Sequence, residues 1–305
     1  MNIKVSVIIC TYNRVQFLPE AFDSLAAQTL PSENFEIIVV DNNSQDNTTE
    51  VCLAFQQTQP SINFRYILET NQGLSFARNR GINEAQSKLL VFIDDDAIPE
   101  KEYLHNIVHF FETTPDAAAA GGRIYPRFES KRPDWLPDIL ISLVSAIDLG
   151  DNVCLFKKKF PIGANMILRK ETIDKYGSFN VNLGRRGNNM EGAEEKDLFF
   201  RIMGDGGKVY YIPNAIVHHF IPDKRLSFEF FCRQAIGIGY SEKIRAKNIS
   251  STTYLKSLIK EAIKWGVSGL MCLYYCLTFR IRMGWRLVIF RWYVSKGLLF
   301  TSKLN

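Results

Sequence analysis

Four short runs of apolar residues, each closed by a cluster of polar ones, constrain this chain more than anything else in it. Val5 to Cys10 is a short continuous run, the pattern of a strand covered on both faces; Phe35 to Val40 reads as a second buried strand, Phe64 to Leu68 as a third and Leu89 to Ile93 as the fourth and clearest. Helical periodicity lies between them. Leu18, Ala21, Phe22, Leu25 and Ala26 recur on one helix face, and residues 46–55 and 75–86 read as helices too. Strands alternating with helices predict an α/β fold, Rossmann-like, with a mainly parallel sheet, right-handed connections and helices on both faces. In open sheets of this kind ligands bind beyond the carboxyl ends of the strands. The polar clusters stand there: Thr11-Tyr12-Asn13-Arg14, Asp41-Asn42-Asn43-Ser44, Glu69-Thr70-Asn71-Gln72-Gly73 and Asp94-Asp95-Asp96. Any one alone is ordinary turn chemistry. Four at corresponding ends predict one crevice.

The later pattern is more mixed. Leu104, Ile107, Val108 and Phe111 form a helical face, and Gly121 to Ile124 reads as a strand edge. Residues 125–138 hold three prolines and many charges, which predicts a long functional loop. Pro161 to Leu168 reads as a strand, 194–204 as a helix, and 208–219 as a strand pair hinged at Pro213-Asn214.

Asp94-Asp95-Asp96 is the sharpest chemical signal. Three successive carboxylates after a buried strand repel one another, and a divalent cation is the natural compensation. Carboxylate oxygens suit Mg²⁺ and Mn²⁺, which bridge such groups to substrate phosphates. A nucleotidyltransferase would share that site but would carry a Gly-rich, Lys-containing phosphate loop after the first strand, and Thr11-Tyr12-Asn13-Arg14 is not one. A sensor without activity would be expected to lose its acidic sites, and here they remain.

The runs VSVIICTYNR, VVDNNSQDNT, NQGLSFARNRGI, VFIDDDAIP and GAEEKDLFFRI together resemble family 2 glycosyltransferases of the GT-A fold, over roughly residues 3–240. The resemblance implies inverting transfer of a sugar, a hexose by expectation, from a nucleoside diphosphate sugar to an acceptor hydroxyl, with Mn²⁺ or Mg²⁺. It implies that Tyr12 and Asp41 hold the base, with Thr11, Asn13, Arg14 and Asn43 on the same nucleotide side. Arg78 would approach the base or diphosphate, Asp94 and Asp95 the ribose and nucleotide, and Asp96 the metal together with Asp94. Similar family members place a metal-binding histidine six residues after a proline, which here selects His219; alternation along a strand lets only one of His218 and His219 face the crevice. Glu194-Glu195-Lys196-Asp197 matches a segment that usually reads Glu-Asp-x-Asp at a helix start. Its second acid, Glu195, would be the catalytic base, with Glu194 as the alternative. Arg123, Trp135, Asn165 and Asp197 are candidates for the acceptor side.

Composition and charge bound the rest. With 305 residues, 46% hydrophobic and 23% charged, the chain suits one large domain plus an appendage, and disordered, collagen-like or multi-span membrane classes fit poorly. Six cysteines without a CxxC pair read as reduced thiols of a cytosolic protein, and the amino terminus runs into the first strand without a signal-peptide pattern. Between 250 and 305 stand nine Lys and Arg against the single acid Glu261, while the remainder is slightly acidic. The predicted organisation is a catalytic domain over 1–245, with a nucleotide half to about 100 and an acceptor half from 101, then a basic amphipathic helical tail over 246–305. Trp265 to Phe279 is an uncharged run shorter than the ~20 residues a spanning helix needs. Trp285, Leu287, Val288, Ile289, Phe290, Trp292 and Tyr293 follow among Arg280, Arg282, Arg286 and Arg291. That mixture predicts a peripheral helix on an anionic inner membrane face, beside a saccharide or lipid-linked acceptor. No recognised nucleic-acid motif accompanies the basic tail, so a nucleic-acid partner is not expected.

Overall fold

The computed structural model describes residues 3–157, 159–184 and 194–300, the side chains of Asn248 and Ile249 excepted. Gly192 and Ala193 of the acidic segment and residues 301–305 of the tail lie outside that set. The first four strands are β1 (Val5–Thr11), β2 (Phe35–Asp41), β3 (Asn63–Leu68) and β4 (Leu89–Asp94), joined through helices α1 (Leu18–Ala26), α2 (Thr48–Thr58) and α3 (Leu74–Glu84). They pair in parallel in the order β3-β2-β1-β4. Their apolar runs are buried throughout β1, β2 and β4 up to the last residues, as continuous hydrophobic strands require. Register does the rest. Thr11 lies opposite Asp41, Asp41 opposite Leu68, and Cys10 opposite Asp94, so the polar residues after each strand emerge at one edge.

The sheet continues as β4-β8-β6-β9-β5, and β8 pairs antiparallel with β4 and β6, as β9 does with β5 and β7. These elements are β5 (Ala97–Pro99), α4 (Tyr103–Thr113), β6 (Ala117–Phe128), β7 (Cys154–Leu155), β8 (Met166–Arg169), α5 (Lys170–Tyr176), α6 (Glu194–Gly204) and β9 (Lys208–Ile221). Three expectations change. Gly121 to Ile124 sits inside β6, between β8 and β9 rather than at an edge, and Tyr125 to Phe128 of the expected loop extend the same strand. The strand expected from Pro161 begins only at Met166, after a 3₁₀ turn over Gly163–Asn165. The hinge expected at Pro213 is absent: β9 runs straight through, because a proline's fixed φ fits an extended chain at the loss of one donor.

The chain forms two compact units, residues 1–125 with 147–219 and residues 126–146 with 220–305. The expected boundary at 245 falls inside helix α7 (Phe228–Ile249) instead. The reason lies in the second core, where Leu136, Leu140 and Val144 pack with Phe231, Ala235, Leu287, Phe290 and Val294, uniting segments far apart in sequence. Helices α8 (Ser251–Leu277) and α9 (Ile281–Leu299) complete that unit. Ser227 caps α7 by accepting from Phe230 N at 3.2 Å, and Ser250 caps α8 by accepting from Thr253 N at 3.1 Å. Two glycines set the α7–α9 crossing: a Cβ on Gly239 would overlap Val294 O, and one on Gly297 would overlap Ile236 O.

The tail departs from expectation in which side chains face out. Trp265 turns inward and donates Nε1–H to Ser295 Oγ at 2.9 Å. Arg286 lies over the rings of Trp135 (4.8 Å) and Phe228 (4.6 Å), and Arg291 donates to both oxygens of Glu261 at 3.0 and 3.1 Å. Leu287 and Phe290 are core residues. Among the described residues no helix is long and apolar enough to cross a membrane.

Candidate active site

At the end of β4 the three aspartates part company. Asp95 is buried: its Oδ2 accepts from Thr11 Oγ1 at 2.8 Å, and its Oδ1 lies 3.0 Å from Arg14 Nε. Burial pushes its carboxyl up to about 7, against the pull of Arg14. Asp96 is also buried; its Oδ2 pairs with Arg14 Nη2, and its Oδ1 lies 3.2 Å from His219 Nε2. Asp94 is the accessible member, with 40% of its side chain exposed.

The strand ladder brings His219 here. β5 follows directly on Asp96, and antiparallel pairing sets Ala97 opposite His219 and Ile98 opposite His218. His219 is buried on the inner side, whereas His218 faces out and meets Glu100 at 3.1 Å. Asp94, Asp96 and His219 each offer a ligand atom, and these atoms lie within 4.8 Å of one another. The Nδ1 of His219 has no hydrogen-bond partner among the described residues. Two carboxylates, one imidazole and an unpartnered buried nitrogen suit a divalent cation of the Mn²⁺ or Mg²⁺ kind.

A second group of charges centres on Arg78. Its Nη1 donates to Glu194 Oε1 and its Nη2 to Glu195 Oε1, both at 2.8 Å, and Nη2 lies 4.0 Å from Asp94. Burial opposes the charge on this guanidinium, yet Glu195, Glu194 and Asp94 hold it above the ordinary arginine range. Arg78, expected from the sequence to approach the base or diphosphate, is 3% exposed here and held between these carboxylates. Glu195 is the second residue of α6, and Gly163 N also donates to its Oε1 at 2.8 Å, while Oε2 accepts from no described residue. Burial raises the Glu195 carboxyl above the usual range, and Arg78 opposes that rise. Glu194 is the more enclosed of the two, with 4% of its side chain exposed against 20%. Gly163 was not among the expected site residues. A Cβ there would overlap Arg78 Nη2 and stand 2.8 Å from Glu195 Oε1; its sequence signal is only a glycine two residues before Asn165.

The other expected residues take varied places. Asn13 and Asn43 adopt left-handed backbone, with φ of 52° and 66°, where asparagine is tolerated. Asn13 Oδ1 accepts from Gln45 N at 2.7 Å, so it holds a turn. Asp41 is buried; Oδ1 accepts from Ser44 N at 2.9 Å and Oδ2 from Tyr66 Oη at 2.8 Å. Tyr12 is exposed beside them. Asn165 is corrected outright as an acceptor residue. It is fully buried, accepts from Tyr103 Oη at 2.9 Å, and donates to Arg123 O at 3.1 Å and Ala215 O at 2.9 Å, which leaves its amide nothing for a substrate. Arg123 donates to Tyr211 Oη, Gly150 O and Asp151, pinning the segment before β7. Asp197 accepts from Arg201 one helical turn on, at 3.0 Å. Trp135 belongs to the second unit, edge-on to Phe231 at 5.4 Å.

Residues 6–177, more than half of the chain, match the family model described as Glycosyl transferase family 2. The chain belongs to that family. This family 2 member is thus a glycosyltransferase, hence an enzyme, and its α/β architecture is of the GT-A type. It is similar to the glucosyl-dolichyl phosphate glucuronosyltransferase of Haloferax volcanii, 27% identical over 244 residues that cover 79% of this chain and 77% of the relative. The succinoglycan biosynthesis protein ExoM of Rhizobium meliloti is 24% identical over 250 residues, covering 78% and 74%. Among solved structures, a mannosyltransferase from Pyrobaculum calidifontis in complex with GDP-Man and Mn²⁺ superposes with a TM-score of 0.64 at 20% identity, covering 99% of this chain and 89% of that one.

Proposed function

We propose that this glycosyltransferase moves a hexosyl group, with inversion, from a nucleoside diphosphate sugar to a hydroxyl of a saccharide or lipid-linked acceptor in polysaccharide or glycolipid biosynthesis. The observation that carries the reading is the convergence of Asp94, Asp96 and His219 at the end of β4. These three residues would hold Mn²⁺ or Mg²⁺. The ion, when bound, supplies the charge that balances the departing diphosphate.

The chain's own side chains account for the rest. Thr11 at the end of β1 and Arg14 just after it fix Asp95 and Asp96, and Tyr12 and Asp41 line the nucleotide side. Glu195 is the base. Its Oε1 is anchored by Arg78 and Gly163, which leaves Oε2 to take the proton of the acceptor hydroxyl. As that proton moves to Glu195, the hydroxyl oxygen bonds to the anomeric carbon, and the bond from that carbon to the diphosphate oxygen breaks with its electron pair on the diphosphate. The relatives named above and the GDP-Man and Mn²⁺ of the similar structure support this class of donor. The basic second unit supports work at the inner face of a cell membrane, without crossing it.

Release of nucleoside diphosphate from a panel of sugar nucleotides, with Mn²⁺, with Mg²⁺ and with chelator, tests the reading when combined with NMR assignment of the product anomer. Turnover should need the ion, fall at least about 10²-fold in Asp96→Ala and His219→Ala, and invert the anomeric centre. Full turnover in chelator, or retention of configuration, would refute it.

A further inference from the structure

Helices α8 and α9 form an antiparallel pair, with Trp265 bonded to Ser295 and a Cβ on Gly284 set to meet Cys272 at about van der Waals contact or closer. The sides that face away from the rest of the second unit are apolar. On α8 the exposed residues include Ile263, Val267, Leu270, Leu273 and Leu277. At 100° per residue these fall, with Leu255 and Ile259, on an arc about 120° wide that runs for about 33 Å. Soluble monomers rarely leave so long an apolar strip open to water. On α9, Ile281, Trp285, Trp292 and Leu299 share one exposed face by the same geometry. Between the helices stands Phe279, 92% exposed at a φ of 57°, a backbone region that disfavours a bulky residue. Nothing in a purely aqueous role accounts for a phenylalanine there.

Charge indicates what covers this surface. The one acid between 250 and 305, Glu261, is buried and paired with Arg291. Lys256, Lys260 and Lys264 are exposed along one edge of the α8 arc, and Arg280 and Arg282 are exposed beside Phe279. Cations bordering exposed tryptophans and aliphatic residues match an anionic lipid headgroup layer over acyl chains. The helices cannot span that layer.

We propose that the α8–α9 hairpin is a monotopic anchor, which lowers its Phe279 apex and the outer strip of α8 into the interfacial layer of an anionic bilayer. The inference rests on the peripheral-membrane part of the function proposed above and on none of its sugar chemistry. It differs from the helix expected from sequence, because Arg286 and Arg291 serve the core and the binding cations are Lys256, Lys260, Lys264, Arg280 and Arg282.

Full-length protein is mixed with vesicles of phosphatidylcholine alone or with phosphatidylglycerol, and the bound fraction is read by co-sedimentation. Wild type should bind the anionic vesicles and weaken with salt. Phe279→Asn suits the left-handed backbone and so preserves the fold; combined with Leu277→Ser it should lower affinity at least tenfold, roughly the effect of removing partly inserted apolar side chains. Brominated lipid should quench wild-type fluorescence, Trp285→Phe with Trp292→Phe should remove most of that quenching, and Trp265→Phe should leave it. If wild type binds and the Phe279→Asn, Leu277→Ser variant binds equally well, the hairpin is not the anchor, although peripheral attachment stands. If wild type binds no vesicle, attachment itself fails. A concentration-dependent dimer abolished by the same variant, without vesicle binding, would assign the strip to a second copy and overturn the proposal.

Discussion

Replacing Arg78 with methionine keeps the reach of the side chain and removes the charge that joins Glu194, Glu195 and Asp94. Its more enclosed pair is nearly sealed, with Arg78 at 3% and Glu194 at 4% exposure and a separation of 2.8 Å. Taking one partner out of a buried pair costs about 3–5 kcal/mol, because the other charge stays behind uncompensated. Glu195 reaches water and adds less. Against the roughly 5–15 kcal/mol that holds a domain together, this is a large loss. Its pH dependence identifies the cause. Burial already lifts the Glu195 carboxyl, and Arg78 restrains it. Without Arg78 the folded pKa rises further above the unfolded one, so the folded state keeps its proton longer and stability is lost as pH climbs through that interval. The deficit of the variant should therefore grow as pH climbs above the ordinary glutamate range, by up to about 1.4 kcal/mol per unit. Urea unfolding followed by circular dichroism at rising pH measures it. A variant within about 0.5 kcal/mol of wild type throughout would refute the ion-pair argument. A constant deficit would assign the loss to packing against Phe179, whose ring lies 5.3 Å from the guanidinium.

Glu195→Gln should depress kcat about 10²-fold or more with donor affinity retained, and Glu194→Gln should lower stability more than turnover; the opposite pattern in single-turnover kinetics would exchange their roles. Asn165→Ala leaves Tyr103 Oη and the carbonyls of Arg123 and Ala215 without their partner, at about 1–3 kcal/mol each, so denaturant unfolding should show a loss of at least about 3 kcal/mol. Gly297→Val would force α7 and α9 apart and should remove the cooperative thermal transition of the second unit, whereas Gly237→Ala, with open space around its Cβ, should be neutral or slightly stabilising.

Strands β1, β2 and β4 are legible in sequence because each is covered on both faces, and a continuous apolar run has few other uses, whereas β3 at the end of the sheet is only partly buried. The aspartate triplet is legible for a similar reason, as a pattern too unfavourable to exist without compensation. What sequence does not reveal is pairing between side chains distant in the chain. Arg78 looks like a nucleotide contact until its guanidinium is seen between Glu194 and Glu195. Asn165 looks like a substrate contact until its amide is seen bridging β6 and β9. Pro213 suggests a hinge on local grounds, and the ladder overrides it. In the tail, α8 is apolar around so much of its circumference that periodicity cannot choose the outward face, and only the structure shows Trp265 turned toward α9 as a hydrogen-bond donor to Ser295.

His219 owes its place beside Asp96 to main-chain pairing, since β5 starts at the very next residue and aligns Ala97 with it. The spacing of the donor trio is therefore written into peptide hydrogen bonds, which neighbouring side-chain substitutions leave untouched. A slip of β9 by one position would carry His219 outward and swing its neighbour inward. That neighbour is another histidine. The same slip would turn the buried Tyr211, Ala215 and Val217 outward as well, so the core holds the imidazole in register along with the ladder.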